Sequence, residues 1–410
     1  MAPSVTRPPG PPTLGERWQH MTNWSASPSP NRIGVLFVVP SLRRGGAETQ
    51  LVQLVSAIDR RQFEPHVLTF EAGLDQQEML RIAPERVVSR PRRHKADFSA
   101  IGIARDLIDR QGLAVVHTTL PTATLRGWVG ARLSRRRPGV VAAVHAMEYM
   151  SFQARLLGAV VTDRILARCA HVIFVCRAQE RTWLNRLPRL AGRSSVIYNG
   201  IDSHHFSPSP YRASVPETRR AWAVPDGAFI ACCIAGLRRE KGHDTLFHAF
   251  ARVRELGHEG VLVLAGDGVL AEPLRRLAKN LGLEGHVRFL GEVNDVRPVL
   301  AASDISVMAS YSETFSMAIL ESLAMGVPVI GTKIGGTPEV IRDGITGLLV
   351  SQANAAELGD AMVRLARDPV ERREMGRRGR VVVGEEFSAA SMVASTERLL
   401  LETATRDPCA

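Results

Sequence analysis

Apolar and polar positions along the first half of the chain follow two periods, one typical of buried strands and one typical of amphipathic helices. Short runs rich in Val, Ile and Leu alternate with stretches of helical periodicity. The predicted strands are Ile33–Val39, Pro65–Phe70, Ala114–His117 and Val140–His145, and the predicted helices are Ala47–Ile58, Ala100–Gln111 and Thr122–Leu133. Strands that alternate with helices in this order predict a parallel, doubly wound domain.

A second alternation of the same kind begins at Phe229. Its predicted strands are Phe229–Ala235, Val261–Ala265, Val287–Leu290, Ile305–Met308 and Val327–Gly331. Between the last two strands, Phe315–Ala324 has the periodicity of a helix. The sequence has no internal repeat at solenoid periods, so the pattern predicts an α/β protein of two unlike Rossmann-like, doubly wound domains.

The domain boundaries are predicted from changes in composition along the chain. Residues 1–31 are rich in Pro and Ser with few aliphatic residues, which predicts a disordered tail. Residues 203–226 contain prolines at positions 208, 210, 216 and 225, a composition typical of a linker. We therefore expect a first domain over residues 32–203, a linker over 204–226 and a second domain over 227–386.

The overall composition favours a cytoplasmic protein. The chain has 410 residues and is 45% hydrophobic, which suits two well-filled cores. It lacks an apolar stretch approaching the roughly 18 to 20 residues that a membrane span needs, and residues 1–32 lack the apolar core of a signal peptide. Its five cysteines form no C-x-x-C pair, which indicates reduced thiols rather than a disulfide framework or a zinc site.

The formal charge of +11 restricts the partners. Four of the 52 basic residues are lysines, and the arginines are scattered through predicted helices beside acidic residues. A basic stripe with interleaved aromatic residues, which nucleic-acid binding would favour, is absent from the sequence, so we expect no nucleic-acid partner. An anionic membrane surface stays open as a partner.

Two carboxylates lie eight positions apart between predicted strands. Glu313 is expected on a loop and Glu321 inside the helix that follows. Eight residues make about 2.2 helical turns, so both side chains can point toward the carboxyl end of the preceding strand, where open parallel sheets bind ligands. Two carboxylates at this place can hold two sets of sugar hydroxyls. The alternative is a helix-dipole charge at Glu313 and a solvated helix residue at Glu321.

In each predicted domain, one further segment of interest follows the first strand. Gly45 and Gly46 open a helix, where small residues let backbone amides approach an anion. In the second domain, Arg238 and Lys241 lie where fixed cations would stabilise a departing diphosphate without proton transfer. A plain glycine turn and a solvated basic turn are the respective alternatives.

Two histidines lie at the ends of predicted strands. His145 ends a predicted strand at the expected crevice edge, and His117 ends the preceding strand, although a structural role is the usual one for a lone histidine. The sequence has no D-x-D pair and no His or Cys cluster, so we predict no catalytic metal. The predicted helix Phe152–Cys169 is apolar around much of its circumference, and it is interpreted as a core helix, with a membrane-surface helix as the alternative.

These motifs together resemble glycosyltransferase family 4, the retaining transferases of the two-domain GT-B architecture. The resemblance is strongest where Glu313–Glu321 is followed by Val327–Ile330, Gly335–Glu339 and Asp343–Val350. The Asn199–Asp202 phrase and the Gly45–Glu48 turn are also similar to this family.

The resemblance implies a central cleft between the two domains and a C-terminal helix, about residues 387–404, that crosses back to the first domain. It implies a metal-independent hexosyltransferase without a cofactor, which moves a sugar from a nucleotide-sugar donor to a hydroxyl of a glycan or lipid-linked glycan in cell-envelope or exopolysaccharide biosynthesis. The catalytic residues implied are His145, Lys241, Arg238 and Glu313, and the donor-binding residues implied are Gly45, Gly46, Asn199, Thr314, Phe315, Ser316 and Glu321.

Two departures from the family pattern leave other functions open. Relatives often have Gly at the positions of Thr314 and Ser316, and Arg at the position of Gly236, so neither the donor sugar nor the role of Arg238 can be taken from the family. The alternatives are a nucleotide-sugar epimerase of the same architecture and a catalytically silent subunit of glycan assembly.

Overall fold

A computed structural model describes residues 32–43, 45–94, 97–147 and 161–406. The predicted tail, and residues 152–160 of the predicted helix Phe152–Cys169, lie outside the described residues. Within the described part of the chain, no helix is both long enough and apolar enough to span a membrane.

The first domain is built on a sheet of seven parallel strands. Its strands lie in the order β3-β2-β1-β4-β5-β6-β7. Their bounds are β1 Ile33–Val39, β2 Phe63–Thr69, β3 Val87–Ser89, β4 Val115–Thr119, β5 Gly139–Val144, β6 His171–Phe174 and β7 Ser194–Val196. Four of these strands confirm the predictions to within two residues at each end, whereas β3, β6 and β7 are too short to give a period that can be recognised.

Helices cover both faces of the first sheet. They are α1 Gly46–Ala57, α2 Ser99–Gln111, α3 Pro121–Leu133, α4 Asp163–Leu166 and α5 Arg177–Arg186. Val35, Phe37 and Val39 pack into one core, and Leu36 and Val38 into the core on the opposite face. Because β1 is buried on both faces, its sequence is a continuous apolar run rather than an alternating one.

The second domain has six parallel strands in the order β10-β9-β8-β11-β12-β13. The strands are β8 Phe229–Ile234, β9 Gly260–Ala265, β10 Val287–Phe289, β11 Ile305–Met308, β12 Val329–Thr332 and β13 Gly347–Val350. The helices are α6 Val215–Ala221, α7 His243–Glu255, α8 Ala271–Asn280, α9 Arg297–Ala302, α10 Met317–Ala324, α11 Thr337–Val340, α12 Ala355–Arg367 and α13 Pro369–Glu386. The next helix, α14 Ala389–Thr405, follows the second domain in the chain. The two parallel sheets confirm the predicted fold class.

The segment expected to be a linker is folded onto the second domain. It contains a 3-10 turn at Ser209–Ser214 and the helix α6. Arg219 in α6 donates hydrogen bonds to the carboxylate of Asp304 at 3.1 Å and to the carbonyl of Ala302 at 3.0 Å. The prolines therefore begin short helical turns instead of holding an extended linker.

The last helix returns to the first domain, as predicted. Met392, Val393, Leu399 and Leu400 in α14 are buried in the core beneath β1. The carboxylate of Glu397 accepts a hydrogen bond from the backbone amide of Asp59 at 2.6 Å. The first domain is thus completed by a segment from the other end of the chain.

Candidate active site

Two loops at the carboxyl end of the second sheet are tied together. The carbonyl oxygen of Glu240, in the loop after β8, accepts a hydrogen bond from the amide of Tyr311, in the loop after β11, at 2.7 Å. Gly242 closes the first loop at φ 63°, and a β-carbon there would lie 2.0 Å from the carbonyl oxygen of Ala309. Only glycine lets the two loops approach this closely.

This contact brings the predicted Lys241 and Glu313 together. Nζ of Lys241 lies 2.6 Å from Oε2 of Glu313, and the side chains are only 15% and 13% exposed. An ion pair so poorly exposed to water is screened less than a surface pair. The pair therefore sets a fixed cation beside a fixed carboxylate at the strand ends.

Arg238, the second predicted cation, is arranged differently. Its side chain is 61% exposed, and its Nε lies 3.0 Å from Oε1 of Glu240. The guanidinium is thus held at the rim of the same loop, whereas the ammonium of Lys241 points inward. A diphosphate contact by Arg238 stays a prediction.

Glu321 lies in α10, one helix beyond the ion pair. Its side chain is partly buried, and burial raises its pKa to about 7. The described residues provide no hydrogen-bond partner for this carboxylate. A desolvated carboxylate without a partner is a typical feature of a ligand site.

The residues between Glu313 and Glu321 pack the loop against neighbouring segments of both domains. The carbonyl oxygen of Thr314 accepts hydrogen bonds from the amide of Gly336 at 2.8 Å and from Sγ of Cys176 at 3.4 Å. The ring of Phe315 is buried, with its centroid 5.4 Å from that of Tyr198. Ser316 is buried at the start of α10. The buried Phe315 ring packs in the core between the domains, and the donor contacts predicted for Thr314, Phe315 and Ser316 stay predictions.

The first domain contributes the glycine turn that was predicted to face an anion. A β-carbon at Gly46 would lie 3.7 Å from Cγ of Met317, which begins α10 in the second domain. A β-carbon at Gly45 would lie 2.5 Å from Oε2 of Glu48, so glycine leaves room for that carboxylate. Burial, together with the charge of Glu71, raises the pKa of Glu48. The turn therefore packs against the start of α10 in the second domain, and an anion contact by Gly45 and Gly46 stays a prediction.

His145 follows β5 directly at the carboxyl end of the first sheet. The amide side chain of Gln179 donates hydrogen bonds to the carbonyls of Val144 and Ala146, both at 2.9 Å, and the indole of Trp183 donates to Ala146 at 3.1 Å. The backbone on both sides of His145 is thereby fixed. Burial lowers the pKa of His145 to about 4, so its imidazole is neutral at pH 7.

His117 is a structural residue. It is buried, its ring packs against Phe37 with centroids 5.3 Å apart, and its Nδ1 has no hydrogen-bond partner. Burial, with the charge of His145 nearby, lowers its pKa to about 3. The packing supports the structural interpretation that the sequence left open.

Asn199 lies where the chain crosses between the domains. It is buried, and the next residue, Gly200, exchanges two hydrogen bonds with the side chain of Gln50, at 2.8 and 3.0 Å. A β-carbon at Gly200 would lie 2.7 Å from Cα of Ala389. The packing around Asn199 belongs to this crossing, and its predicted donor contact stays a prediction.

Glu339, for which no role was predicted, joins the two domains. Its carboxylate accepts hydrogen bonds from the amides of Arg177 and Ala178, at 2.9 and 2.7 Å, and from the hydroxyl of Tyr198 at 2.9 Å. A carboxylate at the amino end of a helix is stabilised by the helix dipole. The signal in the sequence was the Gly-Gly-Thr-Pro-Glu turn, but its partners lie about 140 to 160 positions away.

Among the described residues, no group of three or more His, Cys, Asp or Glu side chains is placed to hold a metal ion. At the carboxyl end of the second sheet, the contact shown is instead the ion pair of Lys241 with Glu313.

Similar proteins show the family. Models described as Glycosyltransferase Family 4 and Glycosyl transferases group 1 match residues 44–205 and 214–382. N-acetyl-alpha-D-glucosaminyl L-malate synthase of Bacillus anthracis is 33% identical over 50% of this chain and 52% of the relative. Lipopolysaccharide core biosynthesis glycosyltransferase LpsE of Rhizobium meliloti is 36% identical over 43% of this chain and 51% of the relative. The chain therefore matches about half of the length of these relatives.

Solved structures show the same fold. Anabaena Alr3699/HepE, in complex with UDP and glucose, has a TM-score of 0.77 and 21% sequence identity, over 90% of this chain and 99% of that chain. The similarity extends over both of the parallel sheets described above, because it covers 90% of this chain. With one family model on each domain, the resemblance predicted from the motifs is confirmed: the chain belongs to glycosyltransferase family 4 and has the GT-B fold.

Proposed function

We propose that this protein is a retaining glycosyltransferase that moves a sugar from a nucleotide-sugar donor to a hydroxyl of a glycan or lipid-linked glycan. The observation on which the proposal rests is the 2.6 Å pair of Lys241 and Glu313 at the carboxyl end of the second sheet. Glu321, with its raised pKa, adds a second carboxylate in the next helix. Cation and carboxylates match the phosphates and hydroxyls of a nucleotide sugar.

Each group has a chemical task in this proposal. Glu313 accepts hydrogen bonds from hydroxyls of the transferred sugar, and Glu321 accepts them from the ribose. Lys241 stabilises the negative charge that develops on the diphosphate as it leaves. Because Glu313 already holds Lys241 in the free protein, the ammonium is in position before the donor binds.

The transfer breaks the bond between the anomeric carbon and the phosphate oxygen, whose electron pair leaves with the nucleoside diphosphate. The acceptor hydroxyl oxygen forms the new bond to the anomeric carbon on the same face. The family resemblance implies that its proton passes to the leaving phosphate, so no protein nucleophile is needed. His145, neutral at pH 7, can exchange a hydrogen bond with a sugar hydroxyl and would orient the ring.

The relatives support a nucleotide-sugar donor in general terms. HepE was crystallised with UDP and glucose, and LpsE is named for lipopolysaccharide core biosynthesis. The base, the sugar and the acceptor of this chain are to be identified by experiment. An epimerase and a catalytically silent binding subunit are the alternatives that the same experiment must separate.

The proposal is tested with a panel of uridine, guanosine and adenosine diphosphate sugars. Calorimetry identifies the donor that binds, and mass spectrometry follows the products with and without glycan acceptors. We expect a nucleoside diphosphate and a glycosylated acceptor in equal amounts. A donor that is converted to its epimer indicates the epimerase, and a donor that binds without release of a nucleoside diphosphate to any acceptor indicates the silent subunit.

A matched pair of variants assigns the effect to the crevice. Lys241→Met removes the buried cation, and Lys279→Met removes an exposed lysine at the end of α8. Charged hydrogen bonds contribute about 1.5 to 3 kcal/mol, so Lys241→Met should lower kcat/KM for the donor by about ten- to a hundredfold. Equal activities of the two variants would remove Lys241 from the proposed site.

A further inference from the structure

The first domain has an open pocket at the amino ends of its strands. The proposed donor site lies at the carboxyl ends. The pocket encloses about 450 Å³ and lies beside Gly139, the first residue of β5. His145 follows the other end of this strand, and six residues of strand at about 3.3 Å each span about 20 Å. The pocket is therefore separate from the proposed donor site.

Six arginines from four separate parts of the chain line this pocket. They are supplied by α3 and the turn after it, by the segment between α4 and β6, by the residue before β7 and by the end of α14. The set, called here the arginine pocket, consists of Arg132, Arg136, Arg137, Arg168, Arg193 and Arg406. The described residues that line it include no aspartate or glutamate.

The described residues that line the arginine pocket have a net positive charge. Some arginines elsewhere have carboxylate partners, as in the pair of Arg186 with Asp163 at 2.8 Å. Within the described residues, none of the six arginines has a carboxylate within salt-bridge distance. Like charges that converge on one concave surface repel one another and concentrate anions there.

Two of the arginines lie near other lining residues. Burial raises the pKa of the Cys169 thiol, and the nearby positive charges of Arg193 and Arg132 act in the opposite direction. The guanidinium of Arg132 also lies over the ring of Trp128, 5.5 Å from its centroid. The pocket thus combines several cations with an aromatic wall.

The turn at Arg137 is held in a strained conformation. Its φ is 45°, in the left-handed region, and the following residue is Pro138, which disfavours helical conformations at the position before it. Strain of this kind persists where surrounding structure over-determines the backbone. Arg136 and Arg137 in this turn both line the pocket.

We propose that the arginine pocket binds a ligand with two or more adjacent phosphate groups. One phosphate is satisfied by two or three guanidinium groups, since each can donate two parallel hydrogen bonds, and six exceed what one phosphate needs. A diphosphate, either free in solution or at the head of a lipid, matches the number and spread of the cations.

The first test measures binding of inorganic pyrophosphate to the whole chain by calorimetry. The double variant Arg132→Gln/Arg136→Gln removes two pocket cations, and Arg276→Gln/Arg373→Gln removes two exposed arginines of the second domain. The pocket variant should bind pyrophosphate at least about tenfold more weakly, and the control variant should bind as the unaltered protein does. Equal affinity of both variants would overturn the proposal.

The Lys241→Met variant distinguishes pyrophosphate binding in the arginine pocket from pyrophosphate binding in the crevice. If pyrophosphate binding is lost in Lys241→Met and kept in the pocket variant, the ligand occupies the crevice and the proposal is wrong. Circular dichroism and donor turnover of the pocket variant should match those of the unaltered protein, because the pocket lies about 20 Å from His145. This comparison also keeps failure of the pocket distinct from failure of the proposed transferase activity.

The second test identifies the source of the phosphate groups. Co-sedimentation is measured with phosphatidylcholine vesicles that contain a polyprenyl diphosphate and with vesicles that lack it. Co-sedimentation that depends on the diphosphate lipid and is lost in the pocket variant assigns a lipid headgroup. Pyrophosphate binding without such co-sedimentation assigns a soluble diphosphate, and absence of both overturns the proposal.

Discussion

Replacing Glu321 with glutamine should stabilise the protein and weaken donor binding at the same time. The change keeps the size of the side chain and removes its charge. Burial raises the pKa of this carboxyl group from 4.5 to about 7, and none of the described residues hydrogen-bonds to it. Above pH 7 the folded protein therefore maintains a poorly solvated negative charge, which glutamine does not require.

The size and sign of the effect follow from the two pKa values. Each factor of ten in an acid dissociation constant corresponds to about 1.4 kcal/mol, so the rise to about 7 corresponds to at most about 3 kcal/mol. Because the folded pKa is the higher one, the contribution of Glu321 to the free energy of unfolding is fully present below about pH 4.5 and is lost as the pH rises through about 7. Glu321→Gln should lack this loss.

Urea unfolding, followed by circular dichroism from about pH 4.5 to about pH 8.5, measures the difference. The free energy of unfolding of Glu321→Gln, relative to the unaltered protein, should increase across this range and level off above pH 7. Glu385→Gln, at an exposed position in α13, is the control and should show no such increase. A difference that does not change with pH would refute the argument from burial.

Donor binding tests the other half of the prediction. Hydroxyl groups bind more strongly to a charged carboxylate than to an amide, so Glu321→Gln should bind the nucleotide sugar selected in the panel about ten- to a hundredfold more weakly at about pH 8. Binding to the unaltered protein should weaken as the pH falls below about 7, and the variant should lose this dependence. Unchanged affinity at about pH 8 would exclude Glu321 from the donor site.

Three further predictions concern the crevice and its closure. Glu339→Gln places an amide beside the amides of Arg177 and Ala178, and it should lower the free energy of unfolding by about 1 to 3 kcal/mol in urea titrations; equal stability would show that this contact between the domains is unimportant. Sugar transfer should survive metal stripping and excess EDTA, and activity that returns only with manganese or magnesium would contradict the role of Lys241. A nucleoside diphosphate shown by calorimetry to bind should reduce the radius of gyration in small-angle scattering, because it would contact both domains; an unchanged radius would contradict a site that spans them.

Elements with a strong local pattern could be predicted from the sequence. The strand Ile305–Met308 has the predicted bounds, and Glu313 and Glu321 lie on a loop and in a helix as expected. A short continuous run of apolar residues is sufficient to predict such a strand, because both of its faces are buried. The family resemblance supplied the return of α14, which no local pattern indicates.

Contacts between distant segments could not be predicted. The hydrogen bonds of Glu339 to α5 join positions more than 160 residues apart, and Phe315 is a core residue only because Tyr198 and Phe387 come to it from elsewhere. The arginine pocket is another such case, since its cations are scattered along the sequence and converge only in three dimensions. The sequence of one chain does not show which distant residues come into contact when it folds.

The return of α14 affects the order in which the molecule can be completed. The first domain leaves the ribosome first, and its sheet can begin to form while the second domain is still being synthesised. Its core nevertheless lacks Met392, Val393, Leu399 and Leu400 until α14 emerges. The first domain is therefore completed only after the second domain has been made, and a chain that stops before α14 leaves an open apolar surface on the first domain.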